Sequence, residues 1–287
     1  MSLLGKLFGS KPAPDKQTLS AADYAERYAA HIRSCDPGYE VSVQHGDNAA
    51  MTSVHWKDDQ GGTANQFIGN YYSRYLLAPN TIEALFEEQR MQAKTTLASF
   101  GQPGPVLDMI MPMLKPVSWQ HIALNQLKQG NIPTEESPFI VEPFVGNLVL
   151  TYVEDRPDQM GFLNPKQAAE LGLNQASLFE AARSNLRKLL PQLVVEGGGG
   201  RYAARLDRNY DASMILLFDE WRDRLALQDE PVIALPARDE LLICGSTDMD
   251  SVNGLRQMAA EIVAGSPYAL SAELFVWREG RLQVLAT

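Results

Sequence analysis

Four consecutive glycines, Gly197 to Gly200, lie between two short runs that suit strands, and they constrain the second half of the chain more than any other feature. Glycine takes positive φ at no steric cost, so the tract can reverse the chain. Leu193, Val194 and Val195 suit a half-buried strand, because β-branched side chains pack well on a pleated surface. Arg201 to Leu206 return, with Tyr202 and Ala204 on one face and Arg201, Ala203 and Arg205 on the other. Asp207-Arg208-Asn209 reads as a turn. Tyr210-Asp211 then opens a helix, with Asp211 capping its first free N–H groups. Met214, Leu217, Phe218, Trp221 and Leu225 form its apolar stripe. A phosphate loop needs a helix N-terminus directly after its glycines. Here a strand follows and no Gly-Lys-Ser/Thr closes the tract, so it reads as a hairpin turn.

A chain of 287 residues, 45% hydrophobic and 21% charged, can build one large domain or two smaller ones around useful cores. A net charge of −10 argues against nonspecific nucleic-acid binding, which needs a basic footprint. The two cysteines, Cys35 and Cys244, lie far apart and outside any CxxC pair, so a reduced cytoplasmic setting is the simplest reading. No apolar run reaches the ~18 residues of a spanning helix. The start, MSLLGKLFGSKPAPDK, lacks the core and cleavage site of a secretory signal.

The pattern predicts a tail over 1–19, an N-terminal α+β module over 20–100, a linker and irregular segment over 101–138, and a larger α+β domain over 139–287. In the tail, Leu3, Leu4, Leu7 and Phe8 can form a short apolar face that touches a partner groove or, weakly, the inner membrane surface. Ser20 and Asp23 have capping spacing for a helix that turns Tyr24, Ala25, Tyr28, Ala29 and Ile32 inward. Three short strands follow, around Tyr39 to Val43, Met51 to Trp56 and Ala64 to Ile68, then two helical stretches. Leu107 to Val117 reads as an irregular edge strand, because Pro112 and Pro116 forbid a central one. Ile122 to Leu127 suits a short helix. Pro143 to Val153 contains a strand with both faces apolar. Helices start at Asn164-Pro165, Asn174 and Asp250-Ser251. Strands are expected over Pro231 to Leu235, Leu241 to Cys244, Leu274 to Trp277 and Leu282 to Leu285. Adjacent hairpins in a mixed order give α+β: a small helix, antiparallel sheet and helix module, then a larger mixed domain.

Several short pieces resemble one family. They are Ser184-Asn185-Leu186-Arg187, Tyr210-Asp211-Ala212-Ser213 with Ile215-Leu216, Pro236 with Asp239-Glu240-Leu241-Leu242-Ile243, and Glu279-Gly280-Arg281-Leu282. From about Asn147 onward their order is similar to the YtpQ-like family of uncharacterised bacterial proteins. That resemblance implies a bacterial, cytoplasmic protein and supplies no activity or catalytic residues.

The residues themselves offer little chemistry. His31, His45, His55 and His121 have no ligand partner at helix spacing. His45 and His55 with Asp47 would make a thin metal set, and exposed hairpin histidines are far commoner, so no metal and no cofactor are expected. Gly245-Ser246 lacks the second glycine of a nucleophile elbow. Asn185, Arg187, Tyr210, Asp211, Ser213 and Asp239 can converge on a pocket in which Arg187 meets an anionic ligand or Asp211. The plainer alternative is that these groups satisfy helix starts, backbone and surface acids. The leading expectation is a non-catalytic protein-interaction module with an unknown protein partner. The alternatives are an enzyme or anionic small-molecule binder of unfamiliar type, and a peripheral membrane protein tethered by its tail.

Overall fold

Ser20 caps the first helix as its spacing from Asp23 predicts, accepting the Asp23 N–H at 3.1 Å. In the computed structural model the described residues are 18–57, 62–98, 104–129, 138–157, 159–227 and 229–286. The tail leucines and Phe8, the turn at 58–61, the break at 99–103 and the loop at 130–137 lie outside them. The chain divides into two compact units, Met1–Glu88 and Gln89–Thr287.

In the first unit, α1 (Ala21–Cys35) buries Tyr24, Ala25, Tyr28, Ala29 and Ile32, the face expected from periodicity. An antiparallel sheet orders β1 (Glu40–Gln44), β2 (Ser53–Lys57) and β3 (Thr63–Phe67) in sequence. Val54 and Trp56 on β2 are buried. Helix α2 (Gly69–Leu77) follows, and then α3 (Ile82–Ala98), which begins in this unit and runs past its last residue. Tyr24 and Tyr28 pack their rings on Phe86 at 5.1 and 5.4 Å between centroids. Burying each such side chain contributes on the order of 2 to 3 kcal/mol relative to exposure.

The second unit has two antiparallel sheets. In the first, β4 (Ile110–Pro116) and β5 (Val141–Val145) flank β6 (Leu148–Arg156), and β7 (Gln159–Phe162) also pairs with β6. The second has six strands in the order β13-β12-β10-β11-β9-β8. These are β8 (Val194–Gly198), β9 (Arg201–Arg205), β10 (Pro231–Ala237), β11 (Glu240–Gly245), β12 (Leu274–Arg278) and β13 (Arg281–Val284). The helices are α4 (Val117–Gln129), α5 (Pro165–Glu170), α6 (Gln175–Arg187), the one-turn α7 (Phe218–Trp221) and α8 (Met249–Gly265). The fold is mixed α+β with antiparallel sheets throughout the described residues. Alternation along the central strands feeds two cores. Ile233, Leu235, Leu241, Ile243 and Phe275 join Ile110, Met113, Leu150, Tyr152 and Trp221 in the larger one. Val232, Ala234, Leu242, Cys244 and Leu274 face Val252, Leu255 and Ala259 of α8. Among the described residues, no helix is long and apolar enough to cross a membrane.

Three local expectations need correcting. The segment after Tyr210 is not one amphipathic helix. A 3-10 turn (Ala212–Leu217), α7 and a second 3-10 turn (Arg222–Arg224) replace it. A regular helix with one stripe needs a wet side, and Ala212, Ser213, Met214, Ile215, Leu217 and Phe218 are all buried. Helix α8 is capped by Asp248, which accepts the Ser251 N–H at 3.1 Å, rather than by Asp250-Ser251. The strand expected within Pro143 to Val153 is β6, and β5 joins it through a turn at Gly146 with φ +54. Strand β4 does sit at a sheet edge, but it is regular: seven residues from Ile110 to Pro116 pair in unbroken register with Glu154 to Leu148. Helix α6 packs on it, which is why Ile110 to Leu114 are buried.

Candidate functional site

The structure gives five of the six sequence-predicted residues a local task and buries the sixth, Ser213. Asn185, buried on α6, donates to the Leu107 and Ile110 carbonyls at 2.8 and 2.9 Å and accepts Lys188 Nζ at 2.8 Å. Arg187 forms a fork with Glu220 at 2.7 and 2.8 Å, not with Asp211. Those hydrogen bonds hold the Glu220 carboxyl below its ordinary range. Tyr210 is buried and donates to Asp155 Oδ2 at 2.8 Å, and burial pushes its hydroxyl far upward. Asp211 does not cap a helix. Its carboxylate accepts the Leu206 and Arg208 N–H groups at 3.0 and 2.7 Å, clamping a turn in which Arg208 has φ +68. Burial raises its pKa, and these two bonds oppose the rise. Ser213 is buried in the 3-10 turn. Asp239 lies in the β10–β11 turn and offers its carbonyl to Arg205 Nη1 at 3.0 Å. The Ala212 N–H donates to the Arg238 carbonyl at 3.0 Å, bringing the Tyr210–Ser213 segment beside the turn that holds Asp239. Asn185 and Arg187 are committed elsewhere.

The remaining motifs resolve as simply. Gly197, Gly199 and Gly200 all have positive φ, and a side chain at Gly197 would run into the Arg201 carbonyl, so the tract is a hairpin turn. His45 turns to Glu26 Oε1 at 3.1 Å and His55 to Ser53 Oγ at 3.0 Å. Among the described residues, no group of three His, Cys, Asp or Glu side chains is placed to hold a metal ion. Thr247 next to Ser246 hydrogen-bonds Asp229 Oδ2 through both its N–H and its hydroxyl at 2.6 Å. A shallow concavity lined by Arg222, Asp229, Glu230, Trp277 and Arg278 holds charges that are already paired, since Arg278 forks onto Glu230 at 2.6 Å.

A different pair of side chains stands out. Lys115, near the end of β4, is partly exposed, with Nζ 5.7 Å from the centre of the Trp119 ring and 5.5 Å from that of Phe162. Trp119 comes from the first turn of α4, whose Val117 N–H donates to the Asn147 carbonyl at 2.8 Å. Phe162 comes from β7, and the two rings sit 4.6 Å apart. Arg238, in the β10–β11 turn, lies with its guanidinium carbon 4.0 Å over the Tyr268 ring. Its backbone N–H donates to the Tyr268 carbonyl at 3.0 Å, which fixes the two side by side. Arg238 Nε is buried without a hydrogen-bond partner.

Among the described residues no carboxylate forms an ion pair with either cation. Glu240, two residues after Arg238 in the chain, is paired with Arg205 at 2.6 Å. Burial first, and then the Arg238 charge, lower the Lys115 pKa to about 8. Two cations that feel each other, half out of water and facing aromatic rings, suit an anion. Sequence reasoning missed both. Lys115 reads as an ordinary edge-strand lysine, and Arg238 is followed by Asp239 and Glu240, which suggest a local partner. The faint signal is Lys115 four residues before Trp119 across a strand-to-helix junction.

Fold and site together define an α+β protein of antiparallel sheets in which Lys115 and Arg238 face aromatic rings with no carboxylate partner among the described residues. The resemblance to the YtpQ-like family holds: the chain is similar to the UPF0354 protein YtpQ of Bacillus subtilis (strain 168), a member of an uncharacterised family. It is 25% identical over 156 residues, 52% of this chain and 57% of that relative. The match thus spans little more than half of the relative's length. No family model matches, and no solved structure matches.

Proposed function

We propose that this bacterial protein binds a small anionic ligand between Lys115 and Arg238. The observation that carries this reading is that, among the described residues, neither cation has a carboxylate partner, in a chain with 35 acidic and 25 basic residues. With acids in such excess, a purely structural lysine and arginine would find carboxylates. Leaving both unpaired and partly out of water is costly unless a ligand supplies the negative charge. Trp119, Phe162 and Tyr268 add flat apolar walls, so the ligand has a compact anionic head and an apolar or planar body. A thermal-shift titration with phosphate, acetate and benzoate tests this. The full chain should be stabilised in a saturable way, and Arg238→Gln and Lys115→Met should each abolish the response. An unchanged response in both variants would remove the site.

A second reading, a protein-interaction module, draws support from the first unit. Leu76 and Leu77, at the end of α2, are 46% and 63% exposed. Leu77 borders a concavity shared with Arg74, Ala78, Leu85 and Glu88. A pull-down from the host with the full chain and with Leu77→Ser tests it. A near-stoichiometric partner lost in the variant supports an interface there, and one retained by both places it elsewhere.

A further inference from the structure

We propose that the stretch from Leu3 to Phe8 folds back on its own chain and covers the exposed leucines at the end of α2. This takes up the surface of the second reading above and gives it an occupant from the chain itself.

The surface comes first. Leu76 and Leu77 are adjacent and exposed, and Leu77 borders a concavity that also takes in Ala78, Thr81, Ala84 and the buried Leu85. Single leucines scattered on a surface are ordinary, but two in succession beside an apolar hollow make a patch that another apolar group can cover. At its rim, Arg74 and Glu88 are joined by a fork at 2.6 and 2.7 Å. With these charges spent on each other, the hollow suits an apolar occupant rather than an ionic one. All of these residues belong to the first unit, Met1–Glu88.

The path of the chain brings an occupant to this surface. Residues 1–17 lie outside the described residues, which begin at Thr18. The next residue, Leu19, is held on α2 by both of its backbone groups. Its N–H donates to Tyr75 Oη at 2.8 Å, and its carbonyl accepts the Tyr72 hydroxyl at 2.9 Å. Leu76 follows Tyr72 by four residues, so it stands on the same helix face one turn further on. The N-terminal stretch therefore starts from the helix that carries the exposed leucines. Gly9 to Gln17 form a spacer whose extended length reaches about 30 Å. Tyr72, Tyr75 and Leu77 lie within two turns of one helix, well inside that reach.

The residues of the stretch fit the surface. Leu3, Leu4, Leu7 and Phe8 recur at helical spacing and give one apolar face. A stretch this short does not hold a helix by propensity alone, so that face needs a surface to pack on. Charge runs the same way: Lys6 and Lys11 bracket the apolar residues, while α3 carries Glu83, Glu87 and Glu88 close together. A tether of this length supplies the stretch at an effective concentration on the order of millimolar. Contact too weak to hold a separate peptide is then enough to cover the leucines.

The test is a disulfide trap in the purified full chain. Cys35→Ser removes the exposed thiol, Cys244 is buried, and Ser10→Cys with Ala84→Cys places one thiol beside the stretch and one in the concavity. Glutathione disulfide is the oxidant, and intact mass follows the bond within one chain. Two variants of this protein are compared: Leu77→Ser, and Leu3, Leu4, Leu7 and Phe8 all changed to Ser. Both changes fall on exposed or N-terminal positions, and an unaltered melting temperature checks the fold. The parent is expected to close its disulfide at least about tenfold faster than either variant. Equal rates in all three overturn the proposal. So does a disulfide between two chains whose rate rises with protein concentration, which gives the leucines to a second copy. Slow closure in all three, with co-sedimentation of the full chain on phosphatidylcholine–phosphatidylglycerol vesicles, gives the stretch to a membrane and also overturns it. The trap is read without any host protein, so its failure leaves the pull-down at Leu77 standing, and a pull-down without a partner leaves the trap standing.

Discussion

Two regions of the second unit hold arginines in opposite circumstances. At the end of α6, Arg187 is exposed yet fully engaged with Glu220, and Asn185 beside it serves two carbonyls. At the β10–β11 turn, Arg238 is less exposed yet has no acid partner among the described residues, and the same is true of Lys115 on β4. Polar groups that look functional in a sequence are often those that hold turns and helix ends. The groups left over for a ligand are those whose expected partner has been taken by another residue. Here Arg205 takes Glu240 at 2.6 Å, which leaves its near neighbour Arg238 unpaired.

The contrast breaks most sharply where partners are buried. Asn185→Leu and Asp211→Ala should each cost about 1 to 3 kcal/mol in urea unfolding, because each leaves buried or partly buried backbone groups without partners. Unchanged anion-induced thermal shifts in the folded fraction of both variants would confirm that they are scaffold. A lost shift with intact stability would return them to the site.

Lys115→Met should change stability in the opposite sense, by up to about 1 kcal/mol of gain, since it relieves a cation held away from water beside another. The pH dependence follows from the lowered pKa. Between about 8 and the ordinary value of 10.5, the unfolded chain holds a proton that the folded chain has released. Wild-type stability from this group therefore rises across that window, and the gain from Lys115→Met should fade there. Difference unfolding curves at pH 7 and pH 10 check it. A gain that is constant with pH would place Lys115 in water.

Arg187→Ala should have the smallest effect, under about 1 kcal/mol, because the Glu220 pair is exposed. Glu220 has a depressed folded pKa, so the pair's contribution is present above the ordinary glutamate range and disappears as pH falls through the folded value. A cost persisting in strong acid would show that Arg187 works through packing of its stem.

Much of the fold was legible. The caps at Ser20, Asn164 and Asn174 each accept the N–H that their spacing predicts. The glycine hairpin and the strands of the six-stranded sheet also fall where alternation placed them. The misses are also physical. The stripe from Met214 to Trp221 is genuine, but burial on all sides broke it into 3-10 and α turns, and Trp221 Nε1 donates to the Met214 carbonyl at 3.0 Å inside the core. Asp211 has the composition of a cap and the geometry of a turn clamp, because the free N–H groups nearest to it are those of Leu206 and Arg208.

The α+β class, the hairpins and most helix starts follow from local pattern, since these depend on spacings of a few residues and on the conformational limits of glycine and proline. Which charges are satisfied is a matter of long-range packing. Arg187 and Glu220 are 33 residues apart, and Arg205 and Glu240 are 35 apart. Which acid reaches which base is set by the packing of distant strands and turns. For the same reason, the unpaired Lys115 and Arg238 could be recognised only once the chain was folded.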